Sequence, residues 1–363
     1  MRARIGFGLM GLLLYNAIVY YLGWNVYEWI YVAFSFHGPI AFSIIWAIIA
    51  YSIVIGRIHH KLRLFKIIGS YWMIVMQYGL LLFPIANLLV WLVPGVHTKW
   101  IGYVIVILMT FIVAIGSYMA YSPVVRNLTI KIQKTNPLQK PLRMVIGSDF
   151  HLGILSNKTH LNRFVKMSNE AKPDVIFLVG DLVDDDPVWY VEYGMSEVMK
   201  QLKSTYGIYG VLGNHEYYGR KIPLFVHEMA ESGVRILQDE TILVAESFYV
   251  TGREDKTNTN RKSLEKLAET VDHKLPWIVM DHTPSDIETP SKIGVDIHLS
   301  GHTHLGQMWP NQFITRKTFE HDYGYKLKVA THTIVSSGFG FWGPPIRTNS
   351  RSEMWVVDVL LTE

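Results

Sequence analysis

Polar and apolar positions divide this chain into two regimes. In the first third, four runs (roughly 5–26, 29–56, 67–93 and 100–121) contain no Lys, Arg, Asp or Glu. Each reaches the length of about 20 residues that crosses a bilayer core as a helix. Four such runs exceed what one soluble core can hide, so they predict a four-helix transmembrane domain over 1–121. The first run opens after Arg2 and Arg4, which raises a cleaved signal peptide. No Ala-x-Ala-like site closes it and three further runs follow, which favours a retained helix.

Beyond residue 142 the pattern becomes short apolar runs that each end near a polar residue. Met144-Val-Ile-Gly precedes Asp149, Val175-Ile-Phe-Leu-Val-Gly precedes Asp181, and Ile208-Tyr-Gly-Val-Leu-Gly precedes Asn214. Trp277-Ile-Val-Met precedes Asp281, and Ile297-His-Leu-Ser-Gly precedes His302. Stretches 158–171 and 188–203 have helical spacing between them. Alternating strands and helices predict an α/β catalytic domain over 144–363. A connector, 122–143, joins it to the bilayer, and Leu128-Thr-Ile-Lys-Ile within it alternates like a strand.

Charge sharpens the division. Residues 1–148 carry twelve Lys/Arg against one acid, Glu28, while 149–363 are net acidic, so the overall +4 describes neither part. The N-terminus, the 57–66 loop and the segment after 121 share one side of a four-span topology. They hold eleven of those basic residues, and the loops near 23–28 and 94–99 hold only Lys99. The positive-inside bias therefore predicts both termini and the catalytic domain in the cytoplasm. Positive charge that flanks apolar runs speaks for a phospholipid bilayer as partner and against nucleic acid. Pro39 and Pro84 fall within runs as expected kinks, and Trp24, Trp29, Trp91 and Trp100 fall near run ends as an aromatic belt would. No Asp, Glu, Lys or Arg falls inside the runs and His37 is their one histidine, which argues against transport through the bundle.

Cysteine is absent, which excludes disulfides, thiolate zinc sites and a cysteine nucleophile. What remains at the strand ends is Asp, His and Asn, the oxygen and nitrogen donors suited to borderline divalent metals. Open α/β sheets place their sites just past strand C-termini, where these residues fall five times in succession. A two-metal site needs a carboxylate able to bridge, neutral imidazoles and open positions for water and substrate oxygen.

Asp149-x-His151, Gly180-Asp181-x-x-Asp184, Gly213-Asn214-His215-Glu216, Asp281-His282 and Gly301-His302-x-His304 together resemble the calcineurin-like metallophosphoesterases. The resemblance covers about 142–360. Ser148-Asp-Phe-His-Leu-Gly153 and the tail Ser336–Arg347 are similar to the bacterial membrane-anchored branch. It implies a four-layer αββα sandwich with a dinuclear site at the sheet edge. By position it implies Asp149, His151 and His304 on a first metal, and Asn214, His282 and His302 on a second. Asp181 would bridge them. A bridging hydroxide would attack phosphorus, His215 would protonate the leaving oxygen, and Asp184 would orient His215. Two divalent ions are implied, with Mn2+, Fe, Zn2+ and Mg2+ all compatible with these donors.

Other residues keep two readings. Arg347 is a candidate for substrate phosphate or for a structural ion pair. Glu216 and Asp281 are expected to support ligands rather than ligate, and Asp185 and Asp186 to form a solvated loop. Trp309, Phe339, Phe341 and Trp342 fit either core packing or a rim dipping into lipid. The expected function is membrane-bound hydrolysis of a phosphate ester or pyrophosphate, on a phosphorylated and lipid-linked substrate. The alternatives are a nucleotide or cyclic-dinucleotide phosphodiesterase, and a membrane sensor or scaffold with a vestigial phosphoesterase domain.

Overall fold

The computed structural model describes residues 2–135, 137–138 and 140–362. The chain divides into two compact units, Met1–Ile115 and Gly116–Glu363.

In the first unit the helices Gly6–Phe34, Arg63–Leu92 and Thr98–Tyr121 are long and apolar enough to cross a membrane; the last of them continues into the second unit. Pro39–Ala50 and Ser52–Ile58 form a pair bent by 56°, which makes up to four spans if counted as one. The break after the first helix falls later than the sequence reading expected. Trp24, Glu28 and Trp29 lie inside a continuous helix to Phe34, because one carboxylate does not stop a helix and nothing between 23 and 34 does. The stop is Ser35, with φ 55°, followed by Gly38 as N-cap and Pro39 at the first helical turn. Pro39 therefore starts a helix instead of kinking one, whereas Pro84 does lie within Arg63–Leu92. Leu22, Ala50 and Trp72 pack inside the unit, and the Trp46 indole donates to the Val19 carbonyl at 2.9 Å. Leu13, Ile40 and Ile107 face outward, the apolar exterior that lipid solvates.

Among the described residues, the second unit holds twelve strands in two six-stranded sheets. In chain order they are β1 Val124–Gln133, β2 Leu142–Gly147, β3 Val175–Val179, β4 Ile208–Val211, β5 Arg235–Ile236 and β6 Glu240–Val244. Then come β7 Phe248–Gly252, β8 Trp277–Met280, β9 Ile297–Ser300, β10 Gly324–Lys328, β11 Thr331–Val335 and β12 Glu353–Thr362. The sheets run β1-β12-β2-β3-β4-β5 and β10-β11-β9-β8-β7-β6. In the first, β2 to β5 are parallel; in the second, β7, β8, β9 and β11 are. β3 reads Val-Ile-Phe-Leu-Val with every residue buried, as a central parallel strand covered on both faces must.

One core layer joins the sheets face to face: Ile146 and Phe177 of the first meet Val250, Ile278 and Leu299 of the second. Helices Lys158–Ala171 and Ile222–Glu231 cover the outside of the first sheet through Leu161, Phe164, Phe225 and Met229. Leu264–Ala268 covers the second through Leu264 and Leu267 against Trp277 and Val279. This is the expected αββα order. Lys158–Ala171 falls where helical spacing put it, capped by the Asn157 side chain, which accepts from the Thr159 amide at 3.0 Å. The expected helix 188–203 is instead two short helices, Val188–Glu192 and Ser196–Met199, parted by Gly194 at φ 57°.

Candidate metal centre

Every island of expected ligands sits where a parallel strand ends. Asp149 and His151 follow β2, Asp181 follows β3, Asn214 and His215 follow β4, Asp281 and His282 follow β8, and His302 and His304 follow β9. The loops turn sharply there. Asp149, His151, Asp181, His302 and His304 all hold positive φ, between 45° and 69°. Five left-handed non-glycine residues among seven candidate ligands is strain concentrated at one place, kept because the surrounding backbone over-determines it. The glycines of the motifs admit the ligands themselves. A Cβ on Gly213 would collide with the Asp181 carboxylate, and one on Gly301 with that of Asp149.

The side chains converge in two linked groups. Asp149, His151 and His304 offer donor atoms that lie within 4.8 Å of one another, and so do Asp181, His282 and His302. Within the first, His151 Nε2 and His304 Nε2 are 3.0 Å apart and His304 Nε2 is 3.3 Å from Asp149 Oδ1. In the second, His282 Nε2 is 3.1 Å from Asp181 Oδ2. Asn214 Oδ1 lies 2.8 Å from His302 Nδ1, which brings Asn214 into that group. Asp181 Oδ2 is also 3.8 Å from His151 Nε2, so one carboxylate oxygen reaches a histidine of each group. Both groups draw on both sheets.

Burial sets the charge states. It holds the imidazoles of His151 and His304 well below their usual range, and that of His302 down to about 4, so these rings are neutral with lone pairs to offer. Burial raises the Asp149 carboxyl to about 6, a cost that a nearby cation relieves. At His282 burial acts downward, but the Asp181 carboxylate, then Asp149 and Asp255, raise the ring well above its usual value; this spot favours positive charge. His282 Nδ1 stands 2.8 Å from the Val179 carbonyl, which fixes Nε2 toward Asp181. Neutral imidazoles, buried carboxylates and a preference for positive charge suit divalent cations.

Residues 142–306, which carry this geometry, match the family model for calcineurin-like phosphoesterases. They form a calcineurin-like metallophosphoesterase domain. The chain is 31% identical over 245 residues to an uncharacterized metallophosphoesterase of Helicobacter pylori, covering 64% of this chain and 62% of that one. It is 29% identical over 253 residues to a Bos taurus transmembrane protein with metallophosphoesterase domain, covering 65% and 56%. An Aquifex aeolicus metallophosphoesterase is 29% identical over 262 residues, covering 69% of this chain and 98% of its own. The chain spans about three fifths of the first two relatives.

Around the ligands, the metallophosphoesterase domain departs from expectation at three places. His215 Nδ1 makes its close ion-pair contact with Asp185 Oδ1, at 2.7 Å, and is 4.0 Å from Asp184 Oδ1. Asp185 is thus no solvated bystander; its own positive φ, 61°, turns its side chain toward the ring. Burial pulls the His215 pKa down, but Asp185, then Asp181 and Asp184, raise it to about 9. Asp186 instead pairs with Lys221 at 2.7 Å.

Arg347 is fully buried. Its guanidinium donates to the carbonyls of Ser337 and Gly340 and to Ser350 Oγ, and Nη2 lies 3.2 Å from His304 Nδ1. Among the described residues it makes no ion pair, and it stands against a candidate ligand. Glu216 behaves as expected, accepting backbone N–H groups from Asp181, Val183 and Gly213 at 3.1, 3.0 and 2.7 Å. Asp281 pairs with Arg253 at 2.8 Å and Arg261 at 3.1 Å, two cations that no motif signalled.

Proposed function

We propose that this protein is a membrane-bound, metal-dependent phosphoesterase that hydrolyses a phosphate ester or pyrophosphate at a dinuclear centre. The observation that carries the reading is Asp181, whose single oxygen Oδ2 stands between His282 of one donor group and His151 of the other. On this reading Asp149, His151 and His304 would hold one ion, Asn214, His282 and His302 the other, and Asp181 would contribute to both. Two such ions would supply Lewis acidity and a lowered pKa for bound water.

The chain's own residues account for the rest. His215 stands with its ring centroid 4.5 Å from that of His151, beside the donor groups. Held protonated by Asp185, it would give its proton to the leaving oxygen as a water oxygen bonds to phosphorus and the ester P–O bond breaks. Glu216 gathers three amides and keeps the backbone of Asp181 and Gly213 in place. The apolar helices favour a substrate at the bilayer surface, a lipid-linked phosphate, and the basic residues on one side of those helices favour a cytoplasmic domain.

The test is hydrolysis by the full chain in detergent with Mn2+, against lipid phosphomonoesters, diesters and pyrophosphates and against nucleotides, with Asp181→Asn alongside. Metal-dependent turnover that falls more than about 100-fold in Asp181→Asn is expected. Wild type that binds no divalent ion sinks the enzyme reading. Nucleotides cleaved far faster than any lipid sink the lipid-linked part.

A further inference from the structure

Four aromatic residues left open by the sequence divide cleanly in the fold. Phe339 and Phe341 are core, at 0% and 2% exposure, whereas Trp309 and Trp342 are 48% and 44% exposed. Trp309 belongs to an excursion that leaves the site at His304 and runs through the short helix Gln312–Thr318. It returns at Phe319, whose ring stands 5.9 Å from that of His302. Thr303 Oγ1 donates to the Asp322 carbonyl at 2.7 Å and closes the base. The tip of this lobe carries Phe313 at 61% and Ile314 at 66% exposure, with Arg316 and Lys317 in the last turn of the helix. Large apolar side chains displayed together beside basic ones mark a surface that meets something other than water.

A second, independent set of contacts ties the base of the lobe to the end of a long apolar helix. Residues Gly116–Tyr121, the last turns of the helix Thr98–Tyr121, are part of the same compact unit. The Arg347 amide donates to the Gly116 carbonyl at 2.9 Å, and the Ser352 amide to that of Met119 at 3.2 Å. Ile346 packs so closely that a Cβ on Gly116 would stand 2.8 Å from its Cβ. Gly116 precedes the helix end by five residues, about 7.5 Å of helix rise, so these contacts are made on the last turns of a helix long and apolar enough to cross a membrane. The lobe hangs from this same strap. The Trp309 amide donates to Thr348 Oγ1 at 2.9 Å, and Gln307 clamps Trp342 with both atoms of its amide, at 2.8 and 2.9 Å.

We infer that the lobe of Trp309, Phe313, Ile314 and Trp342 inserts into the membrane interface, so that His302 and His304 at its base face the lipid–water boundary. Exposed tryptophans, large exposed apolar side chains and the cations Arg316 and Lys317 gathered in one lobe are the residue types that an interface with anionic headgroups selects. The inference concerns the surface and stands whether or not hydrolysis is found.

The chain has no cysteine, so single-cysteine probes report without background. Phe313→Cys, Ile314→Cys and, on the helix covering the first sheet, Leu224→Cys would each carry an environment-sensitive fluorophore. The full chain is placed in nanodiscs of phosphatidylcholine and phosphatidylglycerol. Blue-shifted emission at 313 and 314, quenched several-fold more than at 224 by lipids spin-labelled near the headgroup, is expected. Quenching equal at all three positions overturns the inference. So does a blue shift without lipid quenching, which would mean that a protein partner covers the lobe.

Discussion

Asp185 holds the His215 ring at 2.7 Å through Nδ1, while Asp184, one residue earlier, stays at 4.0 Å. This pair decides the pH behaviour of the proposed proton donor. With its pKa raised to about 9, His215 is protonated across neutral pH, and that form is lost as pH rises through the raised value. Asp185→Asn removes the nearest stabilising charge, so the alkaline limb of kcat/KM is expected to move to lower pH, with about a tenfold loss of activity near pH 9. Asp184→Asn should move it less. Superimposable pH–rate profiles for Asp185→Asn and wild type would falsify the assignment.

Arg347 turns a buried cation into support for His304. Arg347→Met leaves the carbonyls of Ser337 and Gly340 without their donor and releases the imidazole. We expect a loss on the order of 3 kcal/mol in urea unfolding, because buried partners remain unpaired. Mn2+ affinity should fall with it. Arg347→Lys should recover only part of either, since an ammonium cannot span the fork. Full recovery by lysine would mean that charge alone matters.

Gly213 makes room for a carboxylate. In Gly213→Ala the new methyl meets both the carboxylate and the backbone of Asp181, so the two loops must move apart. Metal affinity is expected to drop about 10- to 100-fold, the range for displacing ligand supports. Isothermal titration with Mn2+ reads this directly, and unchanged affinity would show that Asp181 has slack.

Divalent metal should stabilise the second unit. Seven candidate ligands from both sheets meet at one edge, so an ion bound there favours the folded state. At a free concentration of one hundred times Kd the gain is about 2.7 kcal/mol, or roughly 5–10 °C in Tm for a unit of this size. Calorimetry with and without chelator gives the number; coincident melts would argue against tight binding at these residues.

How much of this was legible beforehand depended on range. Apolar runs and strand ends are local patterns, and the islands at 149, 181, 214, 282 and 302 all emerge past parallel strands. The helix break near 35 is hidden in the sequence because Glu28 interrupts the apolar run, although one partly covered carboxylate does not end a helix. Choosing Asp185 over Asp184 needed the left-handed turn at 185, which the run of three aspartates does not reveal. Arg347 was legible only as a cation. Its partners come from residues 304 and 337–350, and no periodicity encodes such contacts. The aromatic set 309–342 could not be divided until burial separated its members.

The pairing of β1 with β12 has a consequence for how the chain is made. Val124 aligns with Glu353 and Gln133 with Thr362, and β12 also separates β1 from β2. A nascent chain that has delivered its apolar helices to the translocon therefore carries β1 at the bilayer with its parallel neighbour more than two hundred residues away. Until the ribosome completes β12, that strand is an open edge, and late, long-range closure is slow. Arg126, Lys131 and the other outward positions of β1 are then its protection against pairing with the wrong chain.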